Sequence, residues 1–489
     1  MRYAICITRK VNEVMTSTMI KQMVTLGPAS SSPQIIAELV QIGVRIFRLN
    51  TSHGSRKDIQ SAINIIRSLS TVDTPLACFL DLQGPKIRLG SFAPRQVSFD
   101  EQLIFSSELS AEGNDYSIPV TYNNLSRDVH VGQKLLIDDG RLTFVIEKIS
   151  DGHIYTRCLS DGVLLSGKGL NCEGGGLNTG ALTSEDLHWI DYSLEKQIDF
   201  IGVSFVRDVH DIKLVHERCS GHKSRPHIIA KIERAEAIGN LSEIVACADG
   251  VMVARGDLAI EVGYENVPML QKAIIQSAKD HCKPVIVATQ MLESMMGSRT
   301  PTRAEVNDVA CAVMDGATCV MLSAETATGK YPLEAAKMLV KVCARVESSF
   351  HHMNSDMPST AMSQREYAIL AAVKAISGVR GVRGIVVMTE TGNMARLVSS
   401  QVSHLPIFGL SAESAVCRRM GFYHGCLAYE FDLHQNHNWE AHVWQIVTRH
   451  MEMDEGDMIV VTKGSLNAAH TKTNQVQLLK WSEAQEVGQ

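Results

Sequence analysis

Three charged residues, Lys231, Glu233 and Asp257, lie at the ends of short apolar runs of the chain. Lys231 and Glu233 are two residues apart, so in a β-strand their side chains would point to the same face. A lysine on an interior face is costly unless it meets a negative partner. Mg²⁺ binds a few carboxylate oxygens and leaves its other positions to water and substrate. The spacing therefore predicts a metal site beside a fixed cation, although acidic residues at strand ends also serve as helix N-caps.

Hydroxyl, amide and further charged side chains end the neighbouring apolar runs. An arginine at such a position suits a phosphate, because its guanidinium donors form a planar fork. Together these residues offer cations for a phosphate, carboxylates for a hard metal and hydroxyl groups, although each alone could be a solvated surface residue. They are Thr25, Arg48, Asn50, Asp81, Ser204, Arg255, Thr289 and Ser323.

Eight short apolar runs must position these residues. Runs of this kind are typical of parallel strands buried on both faces, and eight of them indicate a closed barrel. The active site of such a barrel collects at the carboxyl ends of its strands. Most gaps hold one amphipathic helix, of which the clearest, Thr302 to Met314, begins with a capping box formed by Thr302 and Glu305. The runs are Gln22 to Thr25, Val44 to Asn50, Leu76 to Asp81, Phe200 to Ser204, Ile228 to Glu233, Val251 to Asp257, Val285 to Thr289 and Cys319 to Ser323.

Two further domains are predicted. Between Asp81 and Phe200 lie alternating strand patterns with a hairpin signal at Leu136 to Leu142, which indicate a small β-barrel domain inserted after the third strand. Beyond residue 350 a second α/β pattern follows, with strand candidates at Gly384 to Met388, Pro406 to Leu410 and Asp457 to Val461. The predicted fold is α/β: a (β/α)₈ TIM barrel (1–85 and 182–350), an inserted β domain (86–181) and a C-terminal α/β domain (351–489).

Composition restricts the classes of function. The formal net charge of −6 over 489 residues contains no excess of Lys and Arg, so no nucleic-acid partner is expected. No apolar run approaches the roughly 20 residues of a membrane span, and the N-terminus lacks the apolar core of a signal peptide. The 12 cysteines are scattered without a C-x-x-C pair, which is typical of reduced cysteines in a cytoplasmic protein.

Seven strings of the sequence resemble the signatures of the pyruvate kinase family, in the family's order and spacing, from about residue 20 to 350. They are RLNTSHG (48–54), DLQGPKIR (81–88), AKIE (230–233), ARGDL (254–258), ATQMLESM (288–295), PTRAEV (301–306) and MLSAET (321–326). The resemblance implies a glycolytic enzyme that transfers the phosphoryl group of phosphoenolpyruvate to ADP and yields pyruvate and ATP. It further implies Mg²⁺ as cofactor and assembly as a cytoplasmic homotetramer.

The resemblance also implies roles for residues at the barrel mouth. Residues that match Glu233 and Asp257 hold Mg²⁺ in the family. The lysine that matches Lys231 faces the transferring phosphoryl group, where fixed positive charge supplies most of the catalysis. Arg48 matches the arginine that clamps the phosphate, and Thr289 matches a threonine in the relay that protonates the enolate. The implied substrate-binding residues are Arg48, Lys231, Gly256, Asp257, Thr289 and Ser323.

Nucleotide-binding positions of the family match Asn50, His53, Arg88 and Lys168. Lys168 belongs to the predicted insert. The insert is therefore expected to close over the barrel mouth as a lid that excludes water.

The match departs from the family at a monovalent-cation site. Many members bind K⁺ there through residues that match Asn50, Ser52 and Asp81, together with a threonine and a glutamate where this chain has Leu82 and Lys86. The chain therefore resembles the potassium-independent branch of the family. We predict that the Lys86 ammonium supplies the charge that K⁺ supplies elsewhere, so K⁺ is not required; a surface lysine in a hinge is the alternative.

A candidate effector site lies in the predicted C-terminal domain. Thr389, Thr391, Gly392 and Asn393 follow an apolar strand and open a helical pattern, where backbone N–H groups can bind an anion. An ordinary βα turn has the same pattern, but the resemblance favours a phosphorylated allosteric effector. Residues 464–469 lack the glycine-rich pattern of members activated by fructose bisphosphate, so a sugar monophosphate or a nucleotide monophosphate is predicted instead.

Two other functions remain open on the sequence. One is a Mg²⁺-dependent aldolase or lyase that acts through a pyruvate enolate on a similar barrel, although it would need neither the insert nor a nucleotide site. The other is a catalytically silent paralogue that only senses metabolites. Retention of Lys231, Glu233, Asp257 and Thr289 argues against the silent paralogue.

Overall fold

The structure is a computed structural model that describes residues 18–52, 54–106, 117–177, 180, 182–349, 362–432, 438–464 and 473–482. His53, a predicted nucleotide-binding residue, lies outside the described residues. Residues 465–469 of the second predicted effector segment also lie outside them.

The strands fall into three groups along the chain. The first group is β1 (Lys21–Thr25), β2 (Ile46–Asn50) and β3 (Ala77–Asp81). The insert contains β4 (Arg95–Val97), β5 (Gln102–Ser106), β6 (Ser117–Pro119), β7 (Lys134–Ile137), β8 (Leu142–Ser150), β9 (His153–Cys158), β10 (Gly162–Leu164) and β11 (Leu170–Cys172). Next follow β12 (Phe200–Val203), β13 (His227–Ile232), β14 (Gly250–Ala254), β15 (Val285–Ala288) and β16 (Cys319–Leu322). The last group is β17 (Val382–Met388), β18 (Ile407–Ser411), β19 (Cys426–Glu430), β20 (Met458–Lys463) and β21 (Gln475–Lys480).

Helices separate most of these strands. Up to the last barrel strand they are α1 (Pro33–Ile42), α2 (Arg56–Leu69), α3 (Leu125–Asp128), α4 (Ser184–Glu195), α5 (Val209–Arg218), α6 (Ala235–Gly239), α7 (Leu241–Cys247), α8 (Arg255–Val262), α9 (Val267–Asp280) and α10 (Arg303–Asp315). The remaining helices are α11 (Ala324–Ala327), α12 (Pro332–Glu347), α13 (Gln364–Ser377), α14 (Asn393–Gln401), α15 (Ser414–Met420) and α16 (Trp439–Thr448). Within the described part of the chain, no helix has the length and apolar character needed to cross a membrane.

Strands β1 to β3 and β12 to β16 close into a barrel of eight parallel strands. Each of the eight predicted runs forms one of these strands, so the predicted TIM barrel is confirmed. Apolar residues cover both faces of the strands: Phe79 and Phe200 pack inside the barrel, whereas Val24 and Leu80 pack against the helices. Because the strands are parallel, all their carboxyl ends meet at one rim.

The insert is a curled half-barrel with its own apolar core. Its six-stranded sheet has the order β11-β7-β8-β9-β5-β6, and β4 pairs separately with β10. The predicted hairpin joins β7 to β8, with left-handed backbone at Asp138, Asp139 and Gly140. The inserted β domain is thus confirmed, and within the described residues its main sheet stays open where the sequence predicted a small barrel.

One predicted strand extended too far. Strand β14 ends at Ala254, and Arg255 to Asp257 form the first turn of α8. Asp257 therefore lies on a helix, where its negative charge is favourable near the positive end of the helix dipole. By contrast, the capping box predicted at Thr302 and Glu305 is present at the start of α10.

The C-terminal sheet has the strand order β19-β18-β17-β20-β21. The three predicted strands correspond to β17, β18 and β20, whereas β19 and β21 were missed. From β17 the chain continues to β18 and β19 on one side, and it then crosses to β20 on the other side of β17. The connections therefore leave β17 and β20 in opposite directions, and a crevice lies between these two strands. Ligands of open α/β sheets bind at such points.

The C-terminal domain packs against the amino-terminal end of the barrel, which we call the barrel floor. Phe422 packs against the apolar residues inside the barrel, and the centres of the Phe422 and Phe200 rings are 5.1 Å apart. Lys21 donates from Nζ to the carbonyl of Cys426 at 2.7 Å. The buried carboxylate of Asp199 accepts from Arg418 Nε at 2.7 Å. These contacts lie at the opposite end of the barrel from the predicted site.

Candidate active site

The ammonium group of Lys231 lies at the centre of the site. Its Nζ is 2.7 Å from Ser204 Oγ, 2.9 Å from Glu233 Oε1 and 3.2 Å from Asp81 Oδ1. These partners come from the ends of β12, β13 and β3, which are adjacent in the barrel. The side chain of Lys231 is only 11% exposed. The structure thus brings one buried cation and two carboxylates together at the barrel mouth, on the side that strand alternation predicts.

Burial and ion pairing set the protonation of these groups. Burial opposes charge on Lys231, but the carboxylates of Asp81 and Glu233 outweigh it and raise the pKa of Lys231. Burial also opposes ionisation of Asp81, yet Lys231 and Arg48 hold the pKa of Asp81 below its ordinary value. For Glu233, burial is the largest influence and raises the pKa, and the charge of Asp257 adds to the increase. A cation between Glu233 and Asp257 would relieve this repulsion, so the donor pair fits a hard divalent metal.

Arg48 is fixed at the end of β2 by Asp81. Its Nε donates to Asp81 Oδ2 at 2.7 Å, and a second guanidinium nitrogen lies 2.5 Å from the same oxygen. Another donor binds the hydroxyl of Thr25 at 3.0 Å, which in turn donates to the carbonyl of Leu322. Since Lys231 and Arg48 share Asp81, two cations are held close together at the mouth. An anion with several oxygens could contact both.

Thr289 follows β15 and contacts the start of α8. Its hydroxyl donates to the carbonyl of Ala288 at 2.6 Å and accepts the N–H of Gly256 at 2.9 Å. The φ of Thr289 is 70°, an uncommon value for a β-branched residue. Backbone strain of this kind clusters at functional sites. The hydroxyl therefore lies beside the first turn of the helix that carries Asp257.

Asp257 faces Lys86 across the junction of barrel and insert. The distance from Lys86 Nζ is 3.7 Å to Asp257 Oδ1 and 4.0 Å to Asp139 Oδ1. Among the described residues, no group of three or more His, Cys, Asp or Glu side chains could hold a metal ion. Mg²⁺ is often bound by only one or two carboxylates, with water and substrate oxygens as its other ligands. A pair of carboxylates such as Glu233 and Asp257 matches that number of protein ligands.

The predicted monovalent-cation residues lie around the end of β3. Asn50 accepts the N–H of Ser52 through Oδ1 at 3.1 Å. The carbonyl of Asp81 accepts the hydroxyl of Thr51 at 2.8 Å. Within the described residues, no hydrogen bond or ion pair joins Lys86 to Asn50, Ser52 or Asp81; its ion pairs are with Asp257 and Asp139.

The predicted nucleotide-side residues Arg88 and Lys168 both lie on the insert and bind within it. Lys168 Nζ is 2.8 Å from Asp138 Oδ1, and Arg88 donates to the carbonyl of Gly167 at 3.0 Å. Among the described residues, the hydrogen bonds and ion pairs of these two side chains lie within the insert.

Sequence reasoning missed the roles of Arg255 and Glu325. Arg255 looked like a phosphate cation, but its guanidinium binds the carbonyls of Ala288 and Thr289 and the carboxylate of Asp308. Buried Glu325 accepts the N–H groups of Leu292 and Ser323, which ties the end of β16 to the segment after β15. Both residues lie within strings that match the family (254–258 and 321–326), and this match was the indication available in the sequence that they belong to the site.

Two family models match the chain. The model described as the barrel domain of pyruvate kinase matches residues 17–336, and the model described as the alpha/beta domain of pyruvate kinase matches residues 367–479.

Curated relatives and a solved structure give the same result. A pyruvate kinase from Agrobacterium vitis is 37% identical over 467 residues, covering 94% of this chain and 96% of the relative. One from Buchnera aphidicola subsp. Baizongia pistaciae is 35% identical over 478 residues, covering 94% and 98%. A crystal structure of a pyruvate kinase from Cryptosporidium parvum superposes with a TM-score of 0.88 at 29% identity, covering 95% of this chain and 96% of that one.

Proposed function

Since this chain belongs to the pyruvate kinase family, we propose that Lys231, Arg48, Glu233 and Asp257 surround the phosphoryl group that it transfers from phosphoenolpyruvate to ADP. The chain is a phosphotransferase of glycolysis, which sets aside the aldolase and the silent paralogue. One observation carries the site assignment: a single buried ammonium lies within 3.2 Å of two carboxylates at the barrel mouth.

The side chains of this site have distinct tasks in the proposal. Arg48 and Lys231 bind the phosphate oxygens of phosphoenolpyruvate, and Lys231 remains beside the enolate oxygen as negative charge develops there. Glu233 and Asp257 hold Mg²⁺, which the family typically uses and which neutralises charge on the phosphoryl oxygens when bound. Because the groups are already fixed by hydrogen bonds, little reorganisation is needed during transfer.

Protonation of the enolate is proposed to occur near Thr289. Its hydroxyl is hydrogen-bonded to Ala288 and to the N–H of Gly256, both at the barrel mouth. A threonine hydroxyl is a weak acid, so water and Ser323 take part in the relay. Gly256 and Ser323 complete the proposed substrate site.

The insert, taken as residues 86–181, is proposed to act as a lid over the nucleotide. Lys168 and Arg88 on the insert, with Asn50 and His53 on the barrel, then contact ADP. A lactate dehydrogenase-coupled assay with phosphoenolpyruvate and ADP measures the complete reaction and is the assay for the variants below.

The chain is further proposed to belong to the potassium-independent branch. In the conformation described, the Lys86 ammonium lies 3.7 Å from Asp257, so it already supplies positive charge beside the proposed metal ligands. We expect the rate to change by less than about twofold when KCl replaces an inert salt at fixed ionic strength, because a fixed charge at close range needs no added ion. The coupled assay across a KCl series measures this.

Variants of Lys86 and Lys134 test whether the Lys86 ammonium is responsible for K⁺ independence. Lys86→Met should lower the rate and make it respond to K⁺, whereas Lys134→Met, which removes an exposed ion pair of the insert, should do neither. A strong stimulation of the unmodified enzyme by K⁺ would place the chain in the other branch.

A phosphorylated effector is proposed to bind at the carboxyl ends of β17 and β20. The site contains the turn of Thr389, Thr391, Gly392 and Asn393, in which Thr389 Oγ1 accepts the N–H of Gly392 at 3.0 Å. The position between β17 and β20 supports binding, since the crossovers diverge there. Lys463 at the end of β20 adds a cation that sequence reasoning missed.

Lys463 is 7% exposed, and its Nζ lies 3.8 Å from the centre of the Trp439 ring. Within the described residues it forms no ion pair, and burial lowers the pKa of Lys463.

We expect a sugar monophosphate or nucleotide monophosphate to lower the phosphoenolpyruvate concentration at half-maximal rate. Lys463→Met should raise the effector concentration required by at least about tenfold, because a buried charge contact is lost. Lys480→Met, on the exposed edge strand, is the matched control; equal responses of both variants would contradict the site.

Assembly as a cytoplasmic homotetramer is proposed from the family alone.

A further inference from the structure

The return connection of the insert contains three successive glycines, Gly174, Gly175 and Gly176, with φ values of 81°, 76° and 96°. This left-handed backbone is readily adopted only by glycine. The segment joins the insert to the barrel, and we call it the return hinge. A Cβ on Gly175 would lie 2.7 Å from the carboxylate oxygens of Glu236. The hinge therefore packs directly on the barrel segment that follows Glu233.

Arg234 joins this hinge to two carboxylates of the barrel. One guanidinium nitrogen donates to the carbonyl of Leu177 and to Glu236 Oε1, both at 3.0 Å, and Nε donates to Glu236 Oε2 at 3.2 Å. Nε also lies 3.8 Å from Glu261 Oε1. The side chain of Arg234 is only 4% exposed. A buried guanidinium group with this many contacts has little freedom to move.

The same carboxylates bind the hinge and the barrel backbone. Glu236 Oε1 accepts the N–H of Gly176 at 2.7 Å, and Glu261 Oε2 accepts the N–H of Ala235 at 3.0 Å. The carbonyl of Glu261 accepts the N–H of Gly174 at 2.9 Å. On the insert side, Gln133 donates to the carbonyls of Glu173 and Gly175. Hydrogen bonds from both domains thus fix the hinge.

This cluster is continuous with the proposed metal ligands. Arg234 directly follows Glu233, and Glu261 lies four residues after Asp257 on α8, which is one helical turn. A small cleft of about 20 Å³ between the two connections of the insert is lined by Arg234 and Glu261, together with Pro85 and Lys86 of the first connection. The clamp therefore lies where both connections of the insert meet the barrel.

We propose that Arg234 is a positioning residue that clamps the return hinge of the insert to the segment that follows Glu233, so that the lid is held in a fixed position relative to the barrel mouth. The proposal rests on the roles proposed above for the insert, Glu233 and Asp257. Arg234 itself does not touch the reacting groups.

Arg234→Lys tests the clamp, because lysine keeps the charge but lacks the planar fork that reaches Leu177 and Glu236 together. Hydrogen exchange of the peptide covering residues 173–177 should accelerate by about tenfold, since Glu236, which accepts the amide of Gly176, loses the guanidinium that fixes it. The Michaelis constant for ADP should rise several-fold while that for phosphoenolpyruvate changes little. Arg67→Lys, at the barrel floor, is the matched control, because the guanidinium of Arg67, like that of Arg234, binds both backbone carbonyl and carboxylate oxygens.

Glu236→Gln is the second variant if Arg234→Lys does not fold; it keeps the shape and should also accelerate hinge exchange. Unchanged exchange at residues 173–177 in a folded variant overturns the clamp, as does equal loss of affinity for both substrates. Failure of the proposed site would differ, because Lys231→Met would then retain activity whatever the hinge does.

Discussion

Lys231→Met should lower the rate of pyruvate formation by at least about 10³-fold in the coupled assay. Loss of one oxyanion donor already costs about 10²–10³-fold in other enzymes, and here the donor is a full charge in a buried site. The side chain is 11% exposed and contacts both Asp81 and Glu233, so water cannot easily replace it. The loss should appear in kcat, because the ammonium acts chiefly on charge that develops during transfer.

Folding must be measured in the same variant. Removal of Lys231 leaves the carboxylates of Asp81 and Glu233 without their shared cation, a change that costs about 3–5 kcal/mol in comparable buried pairs. Thermal unfolding gives the folded fraction by which kcat is normalised. Lys21→Met is the matched control: Lys21 is 7% exposed but lies at the barrel floor, 2.7 Å from the Cys426 carbonyl. Normalised activity of Lys231→Met equal to that of Lys21→Met would rule out the assigned role.

Glu233→Gln should raise the Mg²⁺ concentration at half-maximal rate and lower kcat/KM by about 10²–10³-fold. Glutamine keeps the shape of the side chain but replaces a charged metal ligand with a neutral oxygen, which weakens a hard-cation site built from two carboxylates. A Mg²⁺ titration at saturating phosphoenolpyruvate and ADP separates metal affinity from the chemical step. Added Mg²⁺ should restore part of the lost rate.

The control for this prediction is Glu347→Gln. Glu347 is also a partly buried carboxylate, and it accepts the N–H groups of Met19 and Ile20 at the opposite end of the barrel. Its Mg²⁺ titration should match that of the unmodified enzyme. A normal Mg²⁺ response in Glu233→Gln would mean that the carboxylate serves only as the ion-pair partner of Lys231.

The fold was largely predictable because its signals are local. Each barrel strand is apolar on both faces, as Phe79 and Leu80 illustrate on β3, and this pattern depends on the sequence alone. Strands β19 and β21 were missed, since an edge strand such as β21 (QVQLLK) has mixed polarity and its stability comes from pairing with β20. The boundary of β14 was also misjudged, because apolar residues continue directly into α8.

Some features of the candidate site also follow from the sequence, whereas others depend on tertiary structure. Sequence determined the residue types and the face of β13 shared by Lys231 and Glu233, because strand alternation is a property of neighbouring residues. Tertiary structure decided that Asp81 joins them from β3, that Arg255 holds the Thr289 segment instead of facing a phosphate, and that Lys86 approaches Asp257. It also created the Arg234 clamp, because Leu177 and Glu261 reach Arg234 and its near neighbour Glu236 from separate segments of the chain. Hydrogen bonds and ion pairs act over a few ångströms in space, so only closure of the barrel and docking of the insert could select these partners.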